Sequence, residues 1–257
     1  MPRNYWSNYV NNWLSGSQAP APTMKNTLNP MTMSSDYIPE PWWGNDGVQP
    51  LDSVCVNLNP GKGDDLQMRR NISKLKIPRY APSSLASHLP LTDAWHREKR
   101  AFPIAKALRA CGYSASGTND GNLDIELIPW HSEHATNAYG FFRYVDNNAV
   151  DIFKWGLSFA AEESKRITNP LLKNTVLLRF SASNADRVFK SFYKARAISA
   201  PVIKSPINCL PNNNTCWCIY TISQIPDIRF VCIWRKRWYG LNNFPSDADM
   251  YSIFQRL

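Results

Sequence analysis

The sequence predicts an α/β protein, a three-layer α/β/α fold with a central four-stranded, mostly parallel sheet. Three observations carry that reading. Short apolar runs rich in β-branched residues alternate with longer segments of helical periodicity. The runs stay apolar on successive positions, as strands covered on both faces do. Three of the strand ends carry polar or charged clusters, which is where open α/β sheets place their sites.

The elements follow in order. Ser53 to Leu58 (SVCVNL) is a strand that stops at Asn59-Pro60-Gly61. Lys99 to Cys111 has the apolar spacing of a helix at Phe102, Ile104, Ala105 and Leu108, and Gly112 suits the position after its end. Leu123 to Ile128 is a second strand, closed by Pro129. Val150 to Ile167 places Ile152, Phe153, Leu157, Ala160 and Ala161 on one helical stripe. Thr175 to Phe180 is a third strand, and Asn184 to Ala195 a helix with Ser183 as its N-cap. Ile228 to Trp234 is a fourth strand. Ser246 caps a last helix whose first turn carries Asp247 and Asp249, as the helix dipole prefers.

Residues 1–50 read differently. They are rich in Pro, Asn, Ser, Trp and Tyr and lack periodicity, yet Trp6, Trp13, Trp42 and Trp43 are too apolar for a free tail. The reading is an irregular N-terminal arm packed on the core, with residues 51–257 as the α/β domain. An insertion around residues 200–226 carries the turn Asn212-Asn213-Asn214 and one extra strand near Cys218 to Ile222.

Composition narrows the function. With 257 residues, 44% hydrophobic and 19% charged, the chain can build an ordinary globular core and is not a disordered segment. Twenty-nine Lys and Arg against 20 Asp and Glu leave a net charge of +9, which favours a polyanionic partner, nucleic acid before an anionic membrane surface. No run approaches the roughly 18 apolar residues that span a membrane, and Met1 to Leu14 lacks the apolar core of a secretory signal. Six cysteines, at 55, 111, 209, 216, 218 and 232, are too unevenly spaced for a disulfide scaffold. Cys55 and Cys232 sit in apolar runs as buried free thiols do, so a reducing cytoplasm is the simplest location. A monomer without a cofactor is expected.

Three strand ends hold the chemistry. The first, Asn57-Leu58-Asn59-Pro60-Gly61-Lys62-Gly63-Asp64-Asp65, makes a tight turn whose backbone N–H groups can face a ligand. It lacks the spacing of a phosphate-binding Gly-Lys-Ser/Thr loop. Its plain alternative is a structural turn with solvated Asp64 and Asp65. At the second, Glu126 interrupts an apolar run and must be paired, protonated or in a site. His131 and His134 follow it. With Cys216 and Cys218 they could complete a metal set only on paper, because Cys-Trp-Cys lacks zinc-knuckle spacing. At the third, Arg235-Lys236-Arg237 followed by Trp238, Tyr239 and Leu241 sets cations for phosphates beside side chains that stack on or wedge between bases. A basic surface loop is its plain alternative.

In this order the parts resemble the uracil-DNA glycosylase superfamily. Asn57-Leu58-Asn59-Pro60-Gly61 is similar to that family's first motif, most like its mismatch-specific and single-strand-selective branches. Glu126-Leu127-Ile128-Pro129 falls where the base-reading segment stands, and the later strand, helix and strand follow the family's order over roughly residues 52–257. The resemblance implies a four-stranded parallel sheet and a DNA partner. It implies a base flipped from the stack, with Asn59 positioning water or stabilising the sugar cation, and Asp64 or Asp65 activating the water. Asn57 and Glu126 would bind the base, and Lys62, Arg235, Lys236, Arg237, Trp238 and Tyr239 the DNA.

Two departures from the family matter. No histidine occurs after His134, so the last-motif His is missing. Arg235, Lys236, Arg237 or His131 are the candidates to stabilise the leaving base. The base-reading Asn is replaced by Glu126. A carboxylate repels uracil O4 and accepts from the N4 amine of cytosine; protonated, it would also donate to N3. The expected substrate is therefore a modified cytosine, hydroxymethylated or glucosylated, in phage DNA, because excision of ordinary cytosine would destroy the host genome. The role would be antiviral defence. The alternatives are a repair glycosylase for uracil or another deaminated base, a non-catalytic nucleic-acid-binding module on a degenerate glycosylase scaffold, and a metal- or cluster-bearing member using Cys209, Cys216 and Cys218.

Overall fold

The computed structural model describes residues 23–24, 31–32, 42–44, 50–58, 102–116, 121–127, 147–194, 202–211, 214–236 and 245–257. Ten strands and four helices lie within them: β1 Thr23–Met24, β2 Met31–Thr32, β3 Trp42–Gly44, β4 Ser53–Asn57, α1 Phe102–Ala110, β5 Asn122–Glu126, α2 Asn147–Ser164, β6 Thr175–Leu178, α3 Ala182–Lys194, β7 Val202–Lys204, β8 Asn208–Cys209, β9 Thr215–Ile222, β10 Arg229–Arg235 and α4 Asp247–Phe254. The class is α/β, with one mixed sheet of eight strands, seven of them in the order β3-β5-β4-β6-β10-β9-β7 and β8 paired beside β7 on β9.

The four strands expected from the sequence form the centre of this sheet. β5, β4, β6 and β10 pair parallel, with Val54 opposite both Leu123 and Val176, and Val176 opposite Phe230. Every residue of β4, β5 and β6 is buried, which is why these runs are apolar on successive positions. Both edges are extended by antiparallel strands: β3 on β5, and β9, β7 and β8 beyond β10. The sheet as a whole is thus mixed rather than mostly parallel and is wider than four strands. The segment read as an insertion with one extra strand holds three. β7 and β8 are two or three residues long and half exposed, too short to leave an alternating pattern in the sequence.

Helices cover both faces. On one face Phe189 of α3 packs 4.9 Å from Tyr220 and 5.5 Å from Phe230, ring centre to ring centre. α2 lies on the same face, against β4, β5, β6 and α3. A Cβ on Gly156 of α2 would come within 2.9 Å of Leu127 Cδ2, so the small residue there permits the close approach of helix to sheet. On the opposite face Thr215 Oγ1 donates to Asp249 of α4 at 2.7 Å, and Arg256 lies 5.7 Å over the Trp217 ring. α1 packs on α4.

Local signals end the helices. Gly112 has φ of 86° and follows α1, with Gly112 N–H donating to Arg109 O at 2.9 Å and Tyr113 N–H to Leu108 O at 3.0 Å. Ser246 Oγ accepts from Asp249 N–H at 3.1 Å and caps α4. α3 begins at Ala182, so Ser183, read as its N-cap, stands inside the first turn.

Part of the N-terminal arm belongs to the sheet. β3 pairs antiparallel with β5, and Trp42 is fully buried with its ring 5.6 Å edge-on to Phe159 of α2. Trp42→Ala is therefore expected to lower stability by about 3–5 kcal/mol, the usual loss for a large buried aromatic; urea unfolding checks it.

Cys209 and Cys216, opposite each other on β8 and β9, form a disulfide, a pairing not expected from their uneven spacing in the sequence. Cys55, Cys218 and Cys232 are buried free thiols. The signal was weak because two cysteines seven positions apart are recognised as facing each other only once both strands are known. Closing so short a loop is expected to stabilise the fold by about 2–3 kcal/mol, read as a lower melting temperature when reductant is added.

Candidate functional site

The face of the sheet turned toward α1 and α4 is polar where it should be apolar. In-register pairing of β4 with β5 sets Ser53 beside Asn122, Cys55 beside Asp124 and Asn57 beside Glu126, all on one face because alternate residues of a strand share a side. All six are buried. Unpaired polar groups there would each cost on the order of 1–3 kcal/mol, so the arrangement stands only because the groups bond one another. Ser53 Oγ donates to Asn122 Oδ1 at 2.5 Å, and Asn122 Nδ2 to Asp124 Oδ2 at 2.9 Å. Asn57 Nδ2 donates to Glu126 Oε1 at 3.2 Å.

A cation completes this row. Arg179, the residue after β6, is level with Asn57 and reaches across β4 to Asp124, with Nη1 2.7 Å from Oδ1. The two side chains are 8% and 2% exposed, so this is a desolvated ion pair rather than a surface contact. Two further bonds hold the strand ends together here, Leu127 N–H to Asn57 O at 3.0 Å and Arg179 N–H to Val56 O at 2.9 Å. Asn57, Glu126 and Arg179 therefore converge at the carboxyl ends of three parallel strands. The chain runs from β4 to β5 on one side and returns to β6 on the other, so β4 and β6 flank the switch point of the sheet, where such folds bind ligands.

Asn57 and Glu126, 69 residues apart in the chain, are brought into direct contact. Arg235 ends β10 and directs Nη2 to Asp249 Oδ2 at 3.4 Å, tying the sheet to α4, while the Lys236 side chain is exposed. Asn59, Lys62, Asp64, His131, Arg237, Trp238 and Tyr239 lie outside the described residues. Asp124 and Arg179 join the site in addition to the residues expected from the sequence. Their signals were present: alternate carboxylates in Asn-Leu-Asp-Ile-Glu, and one cation at the end of the apolar run Thr-Val-Leu-Leu-Arg.

The sulfur trio offered as metal ligands is not available as such. Cys209 and Cys216 are bonded to each other, and Cys218 faces Cys232 across β9 and β10. Burial pushes the Cys232 thiol up, and it donates to Phe180 O at 2.7 Å. Burial, with the hydrogen bond to Asp186, likewise raises Tyr220. Among the described residues no group of three or more His, Cys, Asp or Glu is placed to hold a metal ion.

No protein-family model, no curated protein and no solved structure matches the chain. Among the described residues no helix is long and apolar enough to cross a membrane.

Proposed function

We propose that this protein is a DNA glycosylase of the uracil-DNA glycosylase type that flips and excises a modified cytosine, hydroxymethylated or glucosylated, from phage DNA. The observation that carries the reading is the Asn57–Glu126 pair at the ends of two neighbouring parallel strands. The amide of Asn57 orients the carboxylate from one side. A carboxylate accepts up to about four hydrogen bonds, so the amide and the exocyclic amine of a cytosine-type base can share it. A uracil-type carbonyl at the same place would meet like partial charge. The parallel centre of the sheet and the net charge of +9 support a glycosylase-like scaffold with a polyanionic partner.

In this reading the glycosidic bond breaks through an oxocarbenium-like state. Asn59 positions the attacking water, Asp64 takes its proton, and His131 or a cation of Arg235-Lys236-Arg237 stabilises the departing base. Lys62, Trp238 and Tyr239 hold the strand from which the base is flipped.

The test is incubation with uracil-containing DNA, unmodified DNA and phage DNA carrying hypermodified cytosine, abasic sites being read by alkaline cleavage and Asn59→Ala serving as control. Cleavage of the modified DNA alone, lost in the control, supports the proposal. Cleavage of uracil DNA replaces it with a repair role. Salt-sensitive binding without abasic product replaces it with a non-catalytic DNA-binding module.

A further inference from the structure

Arg179 has a position that packing alone does not explain. Among the described residues it brings a positive charge into the polar row of β4 and β5, with its side chain only 8% exposed. Asp124 and Glu126 are two residues apart on one face of β5, about 7 Å at strand spacing. The guanidinium is bonded to Asp124, and Arg179 stands level with Asn57 and Glu126, so a positive charge is brought to the same face as both carboxylates. At such separations, and away from water, a cation strongly favours a neighbouring carboxylate in its charged form.

We infer that Arg179, anchored by Asp124, is a specificity-determining positioning residue: its guanidinium keeps Glu126 ionised, so the site accepts a base that presents an amine and rejects one that presents a carbonyl. This rests on the proposal that the site takes a nucleobase. An ionised carboxylate can only accept hydrogen bonds, whereas a protonated one can donate to a carbonyl. The charge on Glu126 thus decides which base edge is complementary. Other described groups on this face have partners of their own. Asp124 opposes the cation from the same strand, Asn57 is neutral, and Cys55 is a thiol whose hydrogen goes to Asn122 at 3.8 Å. The buried residues of α1 are Ile104, Ala105, Ala107 and Leu108, while its Lys106 and Arg109 are exposed and bonded to Asp247 and to the carbonyls of Ala115 and Ser116. From α4, Asp249 is taken by Thr215 and Arg235.

The experiment is a pH titration of the full chain by carbon NMR with glutamate labelled at Cδ, the Glu126 signal being assigned by its loss in Glu126→Gln. The wild-type carboxylate is expected to be ionised at neutral pH. Arg179→Gln should raise the Glu126 midpoint by about 1–3 pH units, the size of a close charge removed, and Arg179→Lys should restore it to within about half a unit. Asp124→Asn, which takes away the opposing charge and keeps an acceptor for the guanidinium, should lower it. A wild-type Glu126 that is protonated at neutral pH overturns the inference, as does a midpoint that none of these changes moves. If Arg179→Gln fails to fold, the wild-type and Asp124→Asn titrations still decide. On DNA, Arg179→Gln should reduce the preference for modified cytosine over uracil by about tenfold or more. Wild-type protein that releases no base from any DNA would sink the glycosylase reading, and the titration would still decide whether Arg179 sets the charge of Glu126.

Discussion

Glu126→Gln is expected to slow excision of a cytosine-type base by about 10²–10³-fold while leaving the fold intact. The amide oxygen can still accept from Asn57 Nδ2, so the contact at 3.2 Å is kept. What changes is the second atom. An amide presents NH₂ where the carboxylate presented oxygen, and it meets the exocyclic amine of the base donor to donor. A site built around a hydrogen bond discriminates strongly against a partner that cannot make it, because a buried polar group is then left without its bond. Single-turnover excision measured beside a thermal melt separates the chemistry from stability. Full activity of Glu126→Gln on every cytosine-type base would mean that Glu126 does not read the base.

Arg179→Ala should cost about 3–5 kcal/mol of stability, because it strands the Asp124 carboxylate in the interior. Asp124 is 2% exposed and is held by the guanidinium at 2.7 Å and by Asn122 at 2.9 Å. The contrast is Lys165, whose ammonium meets Glu162 at 2.8 Å on an open helix face with both side chains more than half exposed. Lys165→Ala should change stability by no more than about 0.5 kcal/mol. Denaturant unfolding of the two variants checks both values. An Arg179→Ala variant as stable as Lys165→Ala would show that the pair is solvated, and it would remove the physical basis for a charged row at the strand ends.

The sheet centre and the helices could be read along the chain because their signals are local. Thr-Val-Leu-Leu and Arg-Phe-Val-Cys-Ile-Trp-Arg contain runs that only a buried strand accommodates, and Gly112 and Ser246 end and start helices by bonds to backbone atoms a few residues away. β3, β7 and β8 escaped because two or three residues carry no period. Trp42 enters the core through a partner, Phe159, that is more than a hundred positions distant.

The site divides in the same way. Glu126 at a strand end in an apolar run, Asn57 ahead of an Asn-Pro-Gly turn and the excess of positive charge are all legible along the chain. Those are properties of neighbours and of composition. The Asn57–Glu126 hydrogen bond, the reach of Arg179 across β4 to Asp124 and the Cys209–Cys216 bond emerge only when the strands are packed together. The first two of these depend on strand register. A shift of one residue between β4 and β5 would send every polar side chain of one strand to the opposite face. Register is set by burial of Val54, Val56, Leu123 and Ile125 against the α2 face, and that is a property of the packed molecule.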